Sequence, residues 1–227
     1  LEANVTYHAS IPLAKQFSAA WLIYLSFVGL AVGMLLIAVD FVMTILGAVE
    51  HKLSLRSWAA FFKEIPTASF AAIAGLLIAL PGLIAAIKVF GTAFLWALGI
   101  GAIEPGAFRM NWHIVFHIYH YIPALALVGV SYVLVEATAG AQSVYAKQVA
   151  KALFLLYPLF VPPTFIYHLL ADPNLSYNIK FAGTSLGLLV GVPTVLHTFI
   201  ILGMLEARMR GAGYGFFGWL RHLPWGN

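Results

Sequence analysis

Between Phe17 and Leu46 the sequence carries one charged side chain, Asp40, and no proline. About 20 consecutive apolar residues are enough to cross a bilayer as a helix. In lipid a backbone must satisfy its own N–H and C=O groups, so a run this long and without polar alternation predicts a spanning helix. Four further apolar runs follow, at about 67–103, 110–135, 152–170 and 181–205. Composition agrees: only 9% of the 227 residues are charged, against about 25% in a soluble domain. The expectation is one all-α membrane domain over residues 1–227, a bundle of about five transmembrane helices.

The segments between the runs are read as surface. Leu1–Gln16, with Tyr7, His8 and Pro12, is an irregular stretch at the interface. Glu50–Glu64, Glu136–Lys151 and Ala171–Lys180 read as polar loops. Lys88 lies deep in the second run and is expected to snorkel, and Pro81-Gly82 to bend that run. Pro162-Pro163 interrupts the fourth, where neighbours or a cavity must satisfy the freed carbonyls. Asp40 is expected at an interface or facing protein, with a proton-pathway role as the alternative. Trp219 and Trp225 suit an interfacial belt.

Within the third run His113, His117 and His120 recur at spacings of four and three, with Tyr121 four residues after His117. On a helix these share a face. Ionisable groups in a membrane segment are costly and mark functional sites by default. The plain alternative is that each imidazole satisfies a neighbouring helix. The chain has no cysteine, which excludes disulfides, thiolate zinc, iron–sulfur clusters and cysteine-ligated copper. Metal chemistry would rest on histidine with tyrosine or carboxylate, a donor set suited to copper or haem iron. The formal charge of +4 reads as basic membrane flanks, with no nucleic-acid partner.

The basic residues are unevenly divided. With five spans, one side holds Lys52, Arg56, Lys63, Lys147, Lys151, Arg208, Arg210 and Arg221, and the other Lys15, Arg109 and Lys180. Eight against three predicts a cytoplasmic C-terminus and an outside N-terminus. An outside start with no signal peptide is natural if an odd number of spans precedes Leu1, in a longer chain or a partner.

The last third resembles subunit I of the haem–copper oxidases, specifically the B-family, ba-type cytochrome c oxidases. The resemblance rests on Tyr167-His168-Leu169-Leu170-Ala171-Asp172-Pro173, Val192-Pro193-Thr194, Leu205-Glu206-Ala207-Arg208 and Phe217-Gly218-Trp219-Leu220-Arg221-His222-Leu223-Pro224-Trp225. It extends back to His117 and corresponds to that family's helices four to eight. It implies three helices upstream. It implies that His117 and His168 bind copper B and that Tyr121 is the catalytic tyrosine linked to the first histidine. Tyr132 and Thr194 fall where the family has proton-pathway hydroxyls, and His197 where it has a pathway threonine. Two departures stand out. The family's proline and valine after the helix-six histidine are Ile118 and His120 here, and the first of its paired histidines is Tyr167. The third ligand is thus open between Tyr167 as phenolate, His113 and His120, and the centre between copper, iron and no metal. The haem axial ligands belong to helices outside this stretch, so haem would join only in an assembled complex.

The implied function is part of the catalytic subunit of a terminal respiratory oxidase, reducing oxygen to water with proton translocation. Its expected setting is the plasma (inner) membrane of a prokaryote. Its expected partners are the rest of a split subunit I or other membrane subunits, and an electron-donor subunit. Three alternatives remain: a non-catalytic structural subunit with a degenerate oxidase-like site, a nitric oxide reductase relative, and a proton channel or transporter. Metal analysis with an optical spectrum separates them.

Overall fold

A computed structural model describes residues 19–49, 54–141, 147–170, 173 and 175–222. Tyr7, His8, Lys15, His51, Lys52, Ala171, Asp172 and Trp225 lie outside the described residues. The helices are α1 (Ala20–Ala48), α2 (Leu55–Glu64), α3 (Thr67–Ala97), α4 (Pro105–Ala139), α5 (Lys147–Phe160), a 3-10 helix (Pro162–Leu169), α6 (Tyr177–Gly211) and α7 (Gly218–His222). No strand occurs among the described residues. Helices α1, α3, α4 and α6 are each long and apolar enough to cross a membrane, and α5 with the 3-10 helix, bent by 47° at the break, makes a fifth if the pair is one span. The protein is a multi-pass helical membrane bundle.

One expectation about boundaries changes. Glu50–Glu64 is not a loop throughout, because Leu55–Glu64 is a helix. Ser54 caps it by accepting from the Ser57 N–H at 3.4 Å, and Pro66, which has no N–H, sets its end. Its Trp58, Phe61 and Phe62 rings pack on one another, and Phe62 reaches Phe70 of α3. The fourth run is broken at Pro162-Pro163, where the sequence places an interruption. Pro162 and Pro163 cannot donate to the preceding turn, so the α-helix stops at Phe160 and continues as a 3-10 helix. By contrast Pro81 lies within an unbroken α3.

Helix α4 carries its own start and stop signals. The Glu104 carboxylate accepts from the Gly106 N–H at 2.9 Å and from the Ala107 N–H, with Pro105 at the first helical position. Those two N–H groups hold the Glu104 carboxyl below its usual range. Gly140, in the left-handed region at φ 61°, closes the helix.

Two buried clusters hold the bundle. One joins α1, α3 and α4 through Tyr24, Ala31, Ala86, Val89, Phe90 and Trp112. The other joins α3, α4, α5 and α6 through Ile78, Ile118, Phe154, Val190 and Met204. Small residues let backbones approach, as lipid-embedded packing favours. A Cβ on Gly82 would stand 2.7 Å from Ile118, and one on Gly183 would stand 2.5 Å from the Cβ of Ile166. Gly183 thereby seats the 3-10 helix against α6. At one end of the bundle two basic side chains tie elements together. Lys151 of α5 is 4% exposed and donates to the Phe62 and Lys63 carbonyls at 2.8 Å each. Arg208 of α6 donates to the Ala139 carbonyl at 3.1 Å.

Candidate metal centre and buried hydroxyl cluster

The 3-10 helix turns Thr164, Tyr167 and His168 towards the middle of α4. His117 Nδ1 lies 3.4 Å from His168 Nε2, although 51 residues separate the two. The other ring nitrogen of His117 meets the Thr164 hydroxyl, which also donates to the Val161 carbonyl at 2.7 Å. Tyr121 and Tyr167 flank His117, with ring centroids 4.9 and 5.4 Å away. A cavity of about 260 Å³ opens here, lined by His117, His120, Tyr121, Ala124, Tyr167 and His168. His117 and Thr164 are fully buried, whereas Tyr167 and His168 are exposed at the rim of this chain.

The three histidines of α4 take different surroundings. His113 is buried and stacks on His168 at 5.7 Å between ring centroids. His117 forms the floor of the cavity. His120 is exposed, and its Nδ1 meets the Phe116 carbonyl at 3.2 Å.

A second polar cluster lies about 16 Å further along α4, taking 1.5 Å per residue from Tyr121 to Tyr132. Tyr132 OH and His197 Nδ1 are 2.9 Å apart. Tyr157 OH and Thr194 Oγ1 are 2.8 Å apart, and the Thr194 hydroxyl also points to the Val190 carbonyl at 3.3 Å. No hydrogen bond joins the two pairs among the described residues. The His197 ring, fully buried, lies 4.2 Å from the Phe154 ring and is parallel to the Tyr157 ring at 6.1 Å, centroid to centroid. Its Nε2 has no partner. Buried polar atoms are nearly always satisfied, so an orphan nitrogen marks a place for water or a further partner. Sequence reasoning named Tyr132 and Thr194 but missed Tyr157 and Thr164, which sit in apolar runs with no local motif.

Fold and side chains together define a polytopic helical membrane protein with a histidine–tyrosine cavity and a separate buried hydroxyl–imidazole cluster. The family described as Cytochrome C and Quinol oxidase polypeptide I matches residues 2–226. The chain belongs to that family. It is 32% identical over 135 residues to cytochrome c oxidase subunit 1 of Thermus thermophilus, over 58% of this chain and 24% of that protein. The chain thus spans about a quarter of the length of the relative it matches. No solved structure gives a significant match.

A copper ion fits two of the donors. Nitrogens that each stand about 2 Å from one ion can be at most about 4 Å apart, and His117 Nδ1 and His168 Nε2 satisfy that at 3.4 Å. Among the described residues no group of three or more His, Asp or Glu is disposed to hold a metal; the Tyr167 ring lies beside the pair, 5.4 Å from the His117 ring and 4.0 Å from the His168 ring.

Proposed function

We propose that the chain is the central part, helices four to eight, of subunit I of a B-family, ba-type terminal oxidase, reducing oxygen to water with proton translocation in a prokaryotic plasma membrane. The observation that carries this reading is the meeting of His117 and His168 across the broken span, with Tyr121 and Tyr167 at their side. His117 and His168 would hold copper, with Tyr167 as third donor. When bound, copper supplies one-electron exchange beside a haem held by helices outside this chain.

This chain's own residues then have separate tasks. His117, buried and tied to Thr164, orients its free nitrogen towards His168. Tyr121, with its ring against His117, would be the catalytic phenol: it would give one proton and one electron together to the oxygen being reduced, become a neutral phenoxyl radical, and be restored by one electron from the donor subunit and one proton, so charge need not build up in an apolar bundle. Tyr132, His197, Tyr157 and Thr194 would carry protons from the cytoplasmic end, with water at the unpartnered His197 nitrogen closing one gap. Ordinary interhelical bonding of these four side chains is the alternative. The exposure of Tyr167 and His168 at the rim supports a partner surface there, whether the rest of subunit I or other membrane subunits, with an electron-donor subunit beyond.

Metal analysis and an optical spectrum of the purified complex test the reading. Haem bands with about one copper per complex are expected, and His117→Ala should remove the copper and turnover while the bundle still assembles. A complex with neither copper nor haem would overturn the oxidase reading and leave the structural subunit.

A further inference from the structure

Lys88 stands nine residues before the end of α3 at Ala97, about 13 Å along the axis. Its side chain is exposed and takes no hydrogen bond or ion pair among the described residues. A lone cation on a spanning helix is costly and calls for a partner. Helix α3 has 31 residues, so it is about 46 Å long and exceeds the hydrocarbon core by about 16 Å. With that excess shared between its ends, the Lys88 Cα lies about 5 Å inside the hydrocarbon boundary. The aliphatic stem covers that distance, which brings the ammonium to the level of the lipid phosphates.

A cavity of about 350 Å³ opens at this point, where α3 passes to α4, and Lys88, Thr92, Glu104 and Asn111 line it. That volume is enough for a small polar group. Thr92 is one turn beyond Lys88 on the same face. The hydroxyls of Ser131, Thr138, Thr184 and Thr198 each bond a carbonyl of the preceding turn, whereas Thr92 makes no such bond. Asn111 Nδ2 donates to the Ala107 carbonyl at 2.8 Å, which leaves Oδ1 as an acceptor. The Glu104 carboxylate accepts two N–H bonds and has lone pairs to spare. A cation and an anion thus line one cavity without pairing. From Lys88 towards the middle of α3, Ile84, Leu80 and Leu77 continue its face at spacings of four, four and three, and all three are exposed.

We propose that this cavity binds a phospholipid with a primary-amine headgroup. Its phosphate sits on the Lys88 ammonium and the Thr92 hydroxyl, its ammonium on the Glu104 carboxylate and Asn111 Oδ1, and one acyl chain along Ile84, Leu80 and Leu77. A soluble anion would leave that apolar track bare. A partner's carboxylate on Lys88 would meet the like charge of Glu104. An anionic lipid with no amine meets the same repulsion, and a choline head has no N–H to donate.

The test uses the assembled complex, stripped of lipid in detergent and titrated with short-chain phosphatidylethanolamine, phosphatidylglycerol and phosphatidylcholine, with retained lipid counted by native mass spectrometry. The ethanolamine lipid should bind at least tenfold more tightly than the other two. Lys88→Met, of similar length, should weaken it about tenfold or more, and Lys88→Arg should keep it. Glu104→Gln, which still offers an oxygen to cap α4, should erase its advantage over phosphatidylglycerol. Equal retention of the three lipids would overturn the proposal, even if no variant assembles. So would unchanged retention in Lys88→Met, free phosphoethanolamine binding as tightly as the lipid, or a partner subunit's side chain seated on Lys88 in a map of the complex.

Discussion

At Tyr167 a phenol stands where the resembling family has a ligating histidine. A phenol must lose its proton to bind a metal well, whereas a neutral imidazole offers its lone pair directly. Tyr167→His should therefore tighten copper binding about tenfold or more, measured by competition with a chelator of known affinity. Tyr132 makes a different case. Its hydroxyl is the one partner of a fully buried imidazole whose other nitrogen is already orphaned. Tyr132→Phe leaves His197 with no bond at all, at a cost of about 1–3 kcal/mol, readable as a lower midpoint of thermal unfolding in detergent. If that midpoint does not move, His197 has found water on both sides. The sequence made the histidine–tyrosine spacing on α4 legible, since i, i+4 pairs follow from helix geometry alone. The meeting with His168 was legible only through the resemblance. Thr164 was not legible, because a threonine buried three residues after a break looks like any other small residue in an apolar run.

The 3-10 half of the broken span approaches α6 most closely at Gly183. A methyl on Gly183 would stand 2.5 Å from Ile166, so Gly183→Ala must push the 3-10 helix away. Such overpacking costs about 1–3 kcal/mol, and the displacement should also part His168 from His117. Combining it with Ile166→Ala removes the clashing side chain, and copper binding should then recover, as a double-mutant cycle on copper affinity would show. Helix α2 depends on Lys151. Its ammonium sits on the two last-turn carbonyls of Phe62 and Lys63, where a helix end welcomes positive charge. Lys151→Met should cost about 1.5–3 kcal/mol and speed hydrogen exchange across Leu55–Glu64, with the rest of the bundle unchanged. Glu104 acts at the opposite kind of terminus. Its carboxyl is held low in the fold by two N–H bonds, so its contribution is present above the usual carboxylate pKa and is lost as pH falls through the lowered value. The apolar runs were enough to read an all-helical bundle with four or five candidate spans. They were silent on α2, because a ten-residue helix with mixed polarity lying along a surface has the composition of a loop, and on the direction of the bend, which depends on how two prolines break the ladder.

Over the whole molecule, Lys151 ties α5 to the end of α2 and Arg208 ties α6 to the end of α4, and the eight-to-three division of charge would put that end in the cytoplasm. Cysteines introduced near Arg208 and near Arg109 should react from opposite sides of sealed vesicles, the first from the cytoplasm. Labelling from one side would remove the five-span topology. The outward faces are wide and apolar, with Ile37, Leu127 and Leu188 each more than two-thirds exposed. The rim at Tyr167 and His168 adds exposed polar side chains beside the cavity. On the proposed reading, a cavity with its floor in this chain and its remaining wall in a partner is half a vessel until the two meet. Under the oxidase reading, this makes assembly itself a safety interlock: a chain that has not met its partner cannot close around oxygen, and so cannot leak half-reduced oxygen into the membrane that holds it.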